Sequence, residues 1–332
     1  MILHFHNVYV GGTSTIAGPY EAKGPLRTTF DKKYQKDLYC GEKSFEQAEV
    51  KLLEDSLKIL LKKLKKEPRD IDLVISGDLL NQITSSTYSA LQLHSPFLGI
   101  YTACATSVEG ILIGSTFIDA KKIHTCIAAT SSHNMSSEKQ FRNPTEYGAP
   151  KPATATFTAT GGASIFLTDQ KSKVKVVNGM IGTMINYDQK DPFHMGAVMA
   201  PAAADTLSKY FRDTKTKPED YDLILTGDLG LYGKEILRDL MRIDHQIILG
   251  DNYNDCGVML YDLKKQKEVN AGGSGPVCSA LVNYGMIMKK LNEGTYHRVL
   301  LIATGALFSP TFVYQKKPIL SIANLVCLEA TE

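Results

Sequence analysis

Asp70-Ile71-Asp72-Leu73-Val74-Ile75-Ser76-Gly77-Asp78-Leu79 returns 150 positions later as Asp220-Tyr221-Asp222-Leu223-Ile224-Leu225-Thr226-Gly227-Asp228-Leu229. Further on, Ala103-Cys104-Ala105 is echoed by Val277-Cys278-Ser279, and Ala129-Thr130 by Ala303-Thr304, both pairs 174 positions apart. Two half-chains therefore carry the same elements in the same order, with about 24 residues inserted between Asp228 and Cys278. One repetition of so long a period is a duplicated domain rather than an array of short units. It divides the chain into an N-terminal half, 1–170, and a C-terminal half, 171–332.

The bulk numbers suit two such units. At 332 residues, with 43% hydrophobic and 22% charged side chains, the chain has the composition of a globular protein. A net charge of +2 with no extended basic stripe argues against nucleic acid as a partner. Six cysteines without a CxxC pair or metal-ligand spacing point to free thiols rather than a disulfide framework. The first residues lack the charged and apolar regions of a signal peptide. The longest apolar run, 299–308, is about half of what spans a bilayer, so no transmembrane segment is expected.

Periodicity places the elements. Leu53, Leu57, Leu60, Leu61 and Leu64 repeat at helical spacing, which predicts a helix over 45–66 that Pro68 stops. A buried strand follows at 71–76, a helix at 81–93, a strand at 97–101 and a helix from Cys104 to about 120. After a strand at 125–130, residues 131–160 read as a long irregular loop, the length at which loops become functional. A strand at 162–168 closes the half. The second half predicts strands at 174–182 and 221–226, and helices at 200–211 and 234–242. An insert at 247–261 reads as strand or hairpin; a helix then runs from 272 to 291, followed by strands at 298–304 and 321–329. Short buried strands alternating with helices make an α/β fold: two similar halves with largely parallel, mixed sheets and helices in layers.

Cys104 is the sharpest chemical feature. It follows an apolar strand and a tight turn, at the expected start of a helix whose free N–H groups would lower a thiol pKa or hold an anion. A small buried core residue is the other reading. Asp78 and Asp228 end the repeated strands, either as N-caps or as a carboxylate pair for calcium. Gly272-Gly273-Ser274-Gly275 is either a phosphate cradle or a tight strand-to-helix junction. Lys62-Lys63-Leu64-Lys65-Lys66 is a solvated helix face or a contact for an anionic membrane.

The duplicated layout with a cysteine at a strand-to-helix elbow resembles the thiolase superfamily, including type III ketoacyl-ACP synthases. In those enzymes the cysteine is acylated, and a histidine and an asparagine from the second half stabilise the oxyanion. At the matching positions this chain has Gly227 and the Gly272–Gly275 turn, so the resemblance implies a thiolase-like fold without the condensing partners. Removing one oxyanion donor costs roughly 3 kcal/mol in other enzymes.

A closer match runs through Ala17-Gly18-Pro19, Gly24-Pro25-Leu26, Phe30-Asp31-Lys32, Gly77-Asp78-Leu79-Leu80-Asn81-Gln82, Thr130-Ser131-Ser132-His133-Asn134, Pro144-Thr145-Glu146-Tyr147-Gly148, Ala200-Pro201-Ala202 and Asn254-Asp255-Cys256-Gly257. These segments resemble the stage V sporulation protein AD family of endospore-forming bacteria. The resemblance implies a homodimer that binds dipicolinic acid, with or without calcium, for uptake into the developing spore. Its expected surroundings are the other stage V sporulation A membrane proteins, placing it in solution or peripherally at the spore inner membrane. No cofactor is implied. A flat pyridine with two carboxylates needs donors at both ends and an apolar face. The expected ligand-binding residues are Cys104, His133 and Asn134 past strand ends, Arg142 as a bidentate carboxylate partner, and Tyr147 as a stacking face. Two other readings stand beside this one: an acyltransferase that uses Cys104, and a structural subunit that needs no ligand.

Overall fold

A computed structural model describes residues 1–141 and 151–331. The first half contains strands β1 (Ile2–His4), β2 (Tyr9–Ala17), β3 (Lys32–Lys33), β4 (Leu73–Gly77), β5 (Phe97–Gly99), β6 (Thr125–Ser132), β7 (Phe157–Thr158) and β8 (Gly161–Thr168). Its helices are α1 (Phe45–Leu64), α2 (Thr84–Leu91), α3 (Thr106–Asp119) and α4 (Asn134–Phe141). The second half contains β9 (Val174–Met180), β10 (Leu223–Thr226), β11 (Tyr253–Asp255), β12 (Gly273–Ser274), β13 (Arg298–Leu307) and β14 (Leu320–Ala330). Its helices are α5 (Met195–Thr214), α6 (Gly230–His245), α7 (Cys256–Leu260), α8 (Pro276–Leu281), α9 (Met288–Asn292) and α10 (Pro310–Tyr314), with a π-helical turn joining α8 to α9.

The repeat is local as well as global. Helix α1 starts where Ser44 accepts the Gln47 N–H at 3.2 Å, and it ends at left-handed Lys65. Helix α5 starts where His194 Nδ1 accepts the Ala197 N–H at 3.3 Å, and it ends at left-handed Lys215. Both helices are 20 residues long, and each is followed by a 3₁₀ turn that begins with proline. The leucine stripe of α1 is buried, because a helix this long gains its stability from the face it packs.

Strand order makes the duplication visible as a mirror series, β5-β4-β6-β8-β2 in one half and β11-β10-β13-β14-β9 in the other. Within each half the three outer strands pair in parallel and the fourth runs opposite to the rest. The two series touch where β2 and β9 begin, at the antiparallel pair Tyr9–Lys175. Helix α3 packs on β4, β6 and β8 of its own half and on β13 and β14 of the other, and α8 lies beside it. The layers are therefore α1–α2, sheet, α3 with α8–α9, sheet, α5–α6. The largest apolar cluster is the central one that both halves share.

Several elements differ from the sequence reading. Residues 131–160 are not wholly irregular, since α4 and β7 lie within them; α4 is polar and shows no apolar period to read. Helix α5 extends back to Met195 and keeps Pro201 inside it. Burial of Met195, Val198 and Met199 offsets the roughly 3 kcal/mol that an internal proline costs. The insert forms β11 and then α7 rather than a hairpin. Strands β1 and β2 carry no periodic signal in the sequence; β2 is the innermost strand of the first half, and β1 pairs with β9 of the second. Among the described residues no helix is long and apolar enough to cross a membrane.

Candidate functional site

The chain leaves β5 through Tyr101 and Thr102 and turns sharply at Ala103, which has φ +50°. Cys104 follows in a 3₁₀ turn, Ala103–Ala105, one turn ahead of α3 rather than within its first turn. The Thr106 hydroxyl donates to Ala103 O at 2.7 Å and accepts the Thr102 N–H, locking the elbow. From the other half, β13 presses against the same elbow. A Cβ on Gly305 would stand 2.2 Å from Thr102 O, so glycine is required there. The strand ends of both halves thus converge on Cys104.

A cavity of about 60 Å³ opens beside Cys104. Tyr101, Phe141, Phe308 and Met195 give it apolar walls, while Ser137, Glu138 and Ser274 add polar atoms. Phe141 and Phe308 meet edge to face across it, their centroids 5.8 Å apart. Glu138 is buried and paired with Lys151 at 2.7 Å.

Beneath the thiol lies Asp228, 1% exposed. It accepts the Thr304 hydroxyl at 2.8 Å, the Gly275 N–H at 3.1 Å and the Ser274 hydroxyl at 3.2 Å. Burial pushes its carboxyl up to about 7, against the pull of hydrogen bonds from Cys104 and Thr304. Burial, and next the Asp228 charge, push the Cys104 thiol well above its usual range, with Gly275 and Ser274 pulling weakly the other way. The lowered thiol pKa expected from a helix N-terminus is corrected here: the cysteine is buried beside a carboxyl and stands outside the α-helix.

The two repeated aspartates do different jobs. Asp78 accepts the Leu80 N–H at 2.9 Å and the Ser86 N–H at 2.7 Å, which ties down the start of α2 as the capping reading expects. In the second half Asp255 takes that role, accepting the Leu229 and Gly230 N–H groups that open α6. Asp228 is thereby free for the thiol. Asp78 and Asp228 are held on separate elements, and among the described residues no three His, Cys, Asp or Glu side chains converge as metal ligands.

Gly227 occupies the position where the condensing-enzyme resemblance looks for histidine. A Cβ there would lie 3.2 Å from Ala303 Cα and 3.3 Å from Thr304 N, so the backbone of β13 has closed over the space. The Gly272–Gly275 run is a packing junction, with a Cβ on Gly257 meeting Gly273 O at 2.4 Å. Lys63 of the basic helix face is bonded to Asp31 and Thr13 O, and Lys66 lies over Phe166.

Of the expected ligand residues, Cys104 lines the cavity. His133 is fully buried away from its walls, with Nε2 2.8 Å from Leu38 O and Nδ1 accepting the Met135 N–H at 3.1 Å. Burial lowers its pKa. Asn134 begins α4, and its backbone N–H donates to Thr160 Oγ1. Arg142 and Tyr147 lie outside the described residues. The sequence reading missed Tyr101, Glu138, Phe141 and Phe308. Only Tyr101, three residues before Cys104, carried a positional hint.

Five layers, two mirrored strand series and a cysteine elbow where the halves meet define a thiolase-like protein. Solved structures agree. The chain superposes on 3-oxoacyl-[acyl-carrier-protein] synthase III from Aquifex aeolicus VF5 with a TM-score of 0.58, 11% identity, and coverage of 97% of this chain and 99% of that one. It superposes on human mitochondrial 3-ketoacyl-CoA thiolase, solved in complex with CoA, with a TM-score of 0.60, 13% identity and 100% coverage of both chains. At such identities the likeness is one of fold. The family model for stage V sporulation protein AD matches residues 2–329. The stage V sporulation protein AD of Bacillus subtilis (strain 168) is 44% identical over 324 residues, covering 98% of this chain and 95% of that protein. The chain belongs to the stage V sporulation protein AD family.

Proposed function

We propose that the chain binds dipicolinic acid, as the free acid or its calcium chelate, in the cavity beside Cys104, for uptake into the developing spore and without chemistry at the thiol. The observation that carries this reading is the Asp228–Cys104 pair under aromatic walls. A thiol held protonated by a buried acid is a poor nucleophile, whereas Tyr101, Phe141 and Phe308 offer faces to a flat ring. The acid behind Cys104 also bears on the form of the ligand. A dianion meets repulsion once Asp228 ionises, and a neutral calcium chelate meets less.

The cavity is smaller than the roughly 150 Å³ that admits benzene elsewhere, so the ligand enters as Phe141 and Phe308 part. The working unit in this reading is a homodimer acting with the other stage V sporulation A membrane proteins. Edge strand β5 supports the dimer: all three of its residues are exposed, with Tyr88 and Leu91 of α2 exposed as well, while the matching edge strand β11 is largely buried.

Calorimetry with dipicolinate, with and without calcium, tests the proposal on the wild type and on Cys104→Ala. Saturable binding weakened by the substitution supports it. No binding in either condition overturns it, and an acyl adduct on Cys104 detected by mass spectrometry would replace it with acyl transfer.

A further inference from the structure

Helix α10 forms with no buried residue, projecting Phe312, 56% exposed, and Tyr314, 71% exposed. Its short length means that packing normally has to hold such a turn in place. Alongside runs the connection after β9. Ile185 bridges to Ser321, and Ile319 donates its N–H to Gln189 O, which brings the connection beside the start of β14. This connection exposes Ile181, Met184 and Tyr187, and β14 adds Leu320. All six side chains sit at the pole where β9 and β13 end and β14 begins, the pole on which Phe308 and Met195 frame the cavity. The duplicate provides a control: the helix that follows β6 in the first half, α4, buries Asn134, Ser136, Ser137 and Glu138.

Charge indicates what covers this apron. The segment 308–320 has no acidic residue and carries Lys316 and Lys317. Both lysines are exposed and have no ion pair among the described residues. Val313 O and Phe312 O accept their N–H groups, which keeps the two lysines next to the aromatic rings. In the neighbouring connection Asp188 is paired with Lys190, and Asp191 accepts the Phe193 N–H. Lysine is depleted from the cores of protein interfaces, whereas exposed aromatics beside lysines suit the boundary of an anionic bilayer.

We propose that this pole docks the protein on an anionic lipid surface, with Phe312 and Tyr314 entering the headgroup region and Lys316 and Lys317 meeting lipid charge. The cavity then opens toward that surface. The inference is independent of which ligand the cavity takes.

Vesicle flotation tests it, comparing phosphatidylglycerol-containing with pure phosphatidylcholine vesicles. The protein is expected to float with the anionic vesicles alone. The pairs Phe312→Ser with Tyr314→Ser, and Lys316→Glu with Lys317→Glu, should each lower the bound fraction about ten-fold. The pair Lys62→Glu with Lys65→Glu, on α1, should leave it unchanged. Because the chain has no tryptophan, Tyr314→Trp adds a reporter whose emission should shift to the blue on anionic vesicles. Failure to float, equal flotation with neutral vesicles, loss that follows the α1 lysines instead, or an unshifted reporter would overturn the proposal.

Discussion

The carboxyl of Asp228 hydrogen-bonds the thiol of Cys104, joining the end of a second-half strand to the elbow of the first half. Burial raises both groups; the Asp228 charge pushes the thiol further up while the thiol's hydrogen bond pulls the carboxyl down, so it is the thiol that keeps its proton near neutrality. That relationship organises the expectations below.

Alkylation reports directly on the thiol. Wild-type Cys104 should react with iodoacetamide at pH 7 more slowly than a free cysteine. Asp228→Asn removes the neighbouring charge and should accelerate the reaction several-fold. Peptide mass spectrometry over a time course gives both rates, and fast modification of the wild type would contradict the geometry.

Stability should fall as pH rises. Asp228 goes from 3.8 to about 7, and Glu21, buried and bonded to Tyr261, from 4.5 to about 7; burial is the leading cause in both. Each folded-state value lies above the unfolded one. Their stabilisation is therefore complete below about pH 4 and is lost as pH climbs through 7. Urea unfolding should show a less stable protein at pH 8 than at pH 5, by a few kcal/mol at about 1.4 kcal/mol per unit. Asp228→Asn and Glu21→Gln should each reduce that difference.

Gly227→Ala tests whether the site of the missing histidine is truly closed. The added methyl would press on Ala303 and Thr304 of β13, at a cost of about 1–3 kcal/mol. A thermal melt would register this as a lowered midpoint. An unchanged midpoint would mean that β13 yields easily and that a larger side chain could be accommodated.

The exposed edge of β5 gives a test of assembly. Leu98→Asp puts a charge on a strand whose three residues are all exposed, and charge on an edge strand discourages pairing. Light scattering after size exclusion should find a dimer for the wild type and a monomer for the variant. A monomeric wild type would remove the dimer from the proposed function.

His133 shows why the site was only partly legible. Its position after β6 and its polarity mark it as a cleft residue in the sequence. In the fold the chain turns inward, and both ring nitrogens find partners at Leu38 and Met135. No local signal announces a partner 95 positions away. Phe141 and Phe308 carry a different lesson. Each reads as ordinary apolar punctuation, and they become a cavity wall only because α4 and the end of β13 meet.

By itself the sequence determined the duplication, the α/β alternation, a helix read at 45–66 and found at 45–64, and the strand-to-helix elbow at Cys104, because these depend on local periodicity and on residues repeated at a set spacing. Only the tertiary structure decided which of two like aspartates would meet the thiol. Asp255, at the end of β11, took over the capping that Asp78 performs in the first half and left Asp228 to the thiol. It also decided the sign of the thiol's pKa shift, since burial and a neighbouring charge are properties of the packed molecule and outweigh the local geometry of the turn.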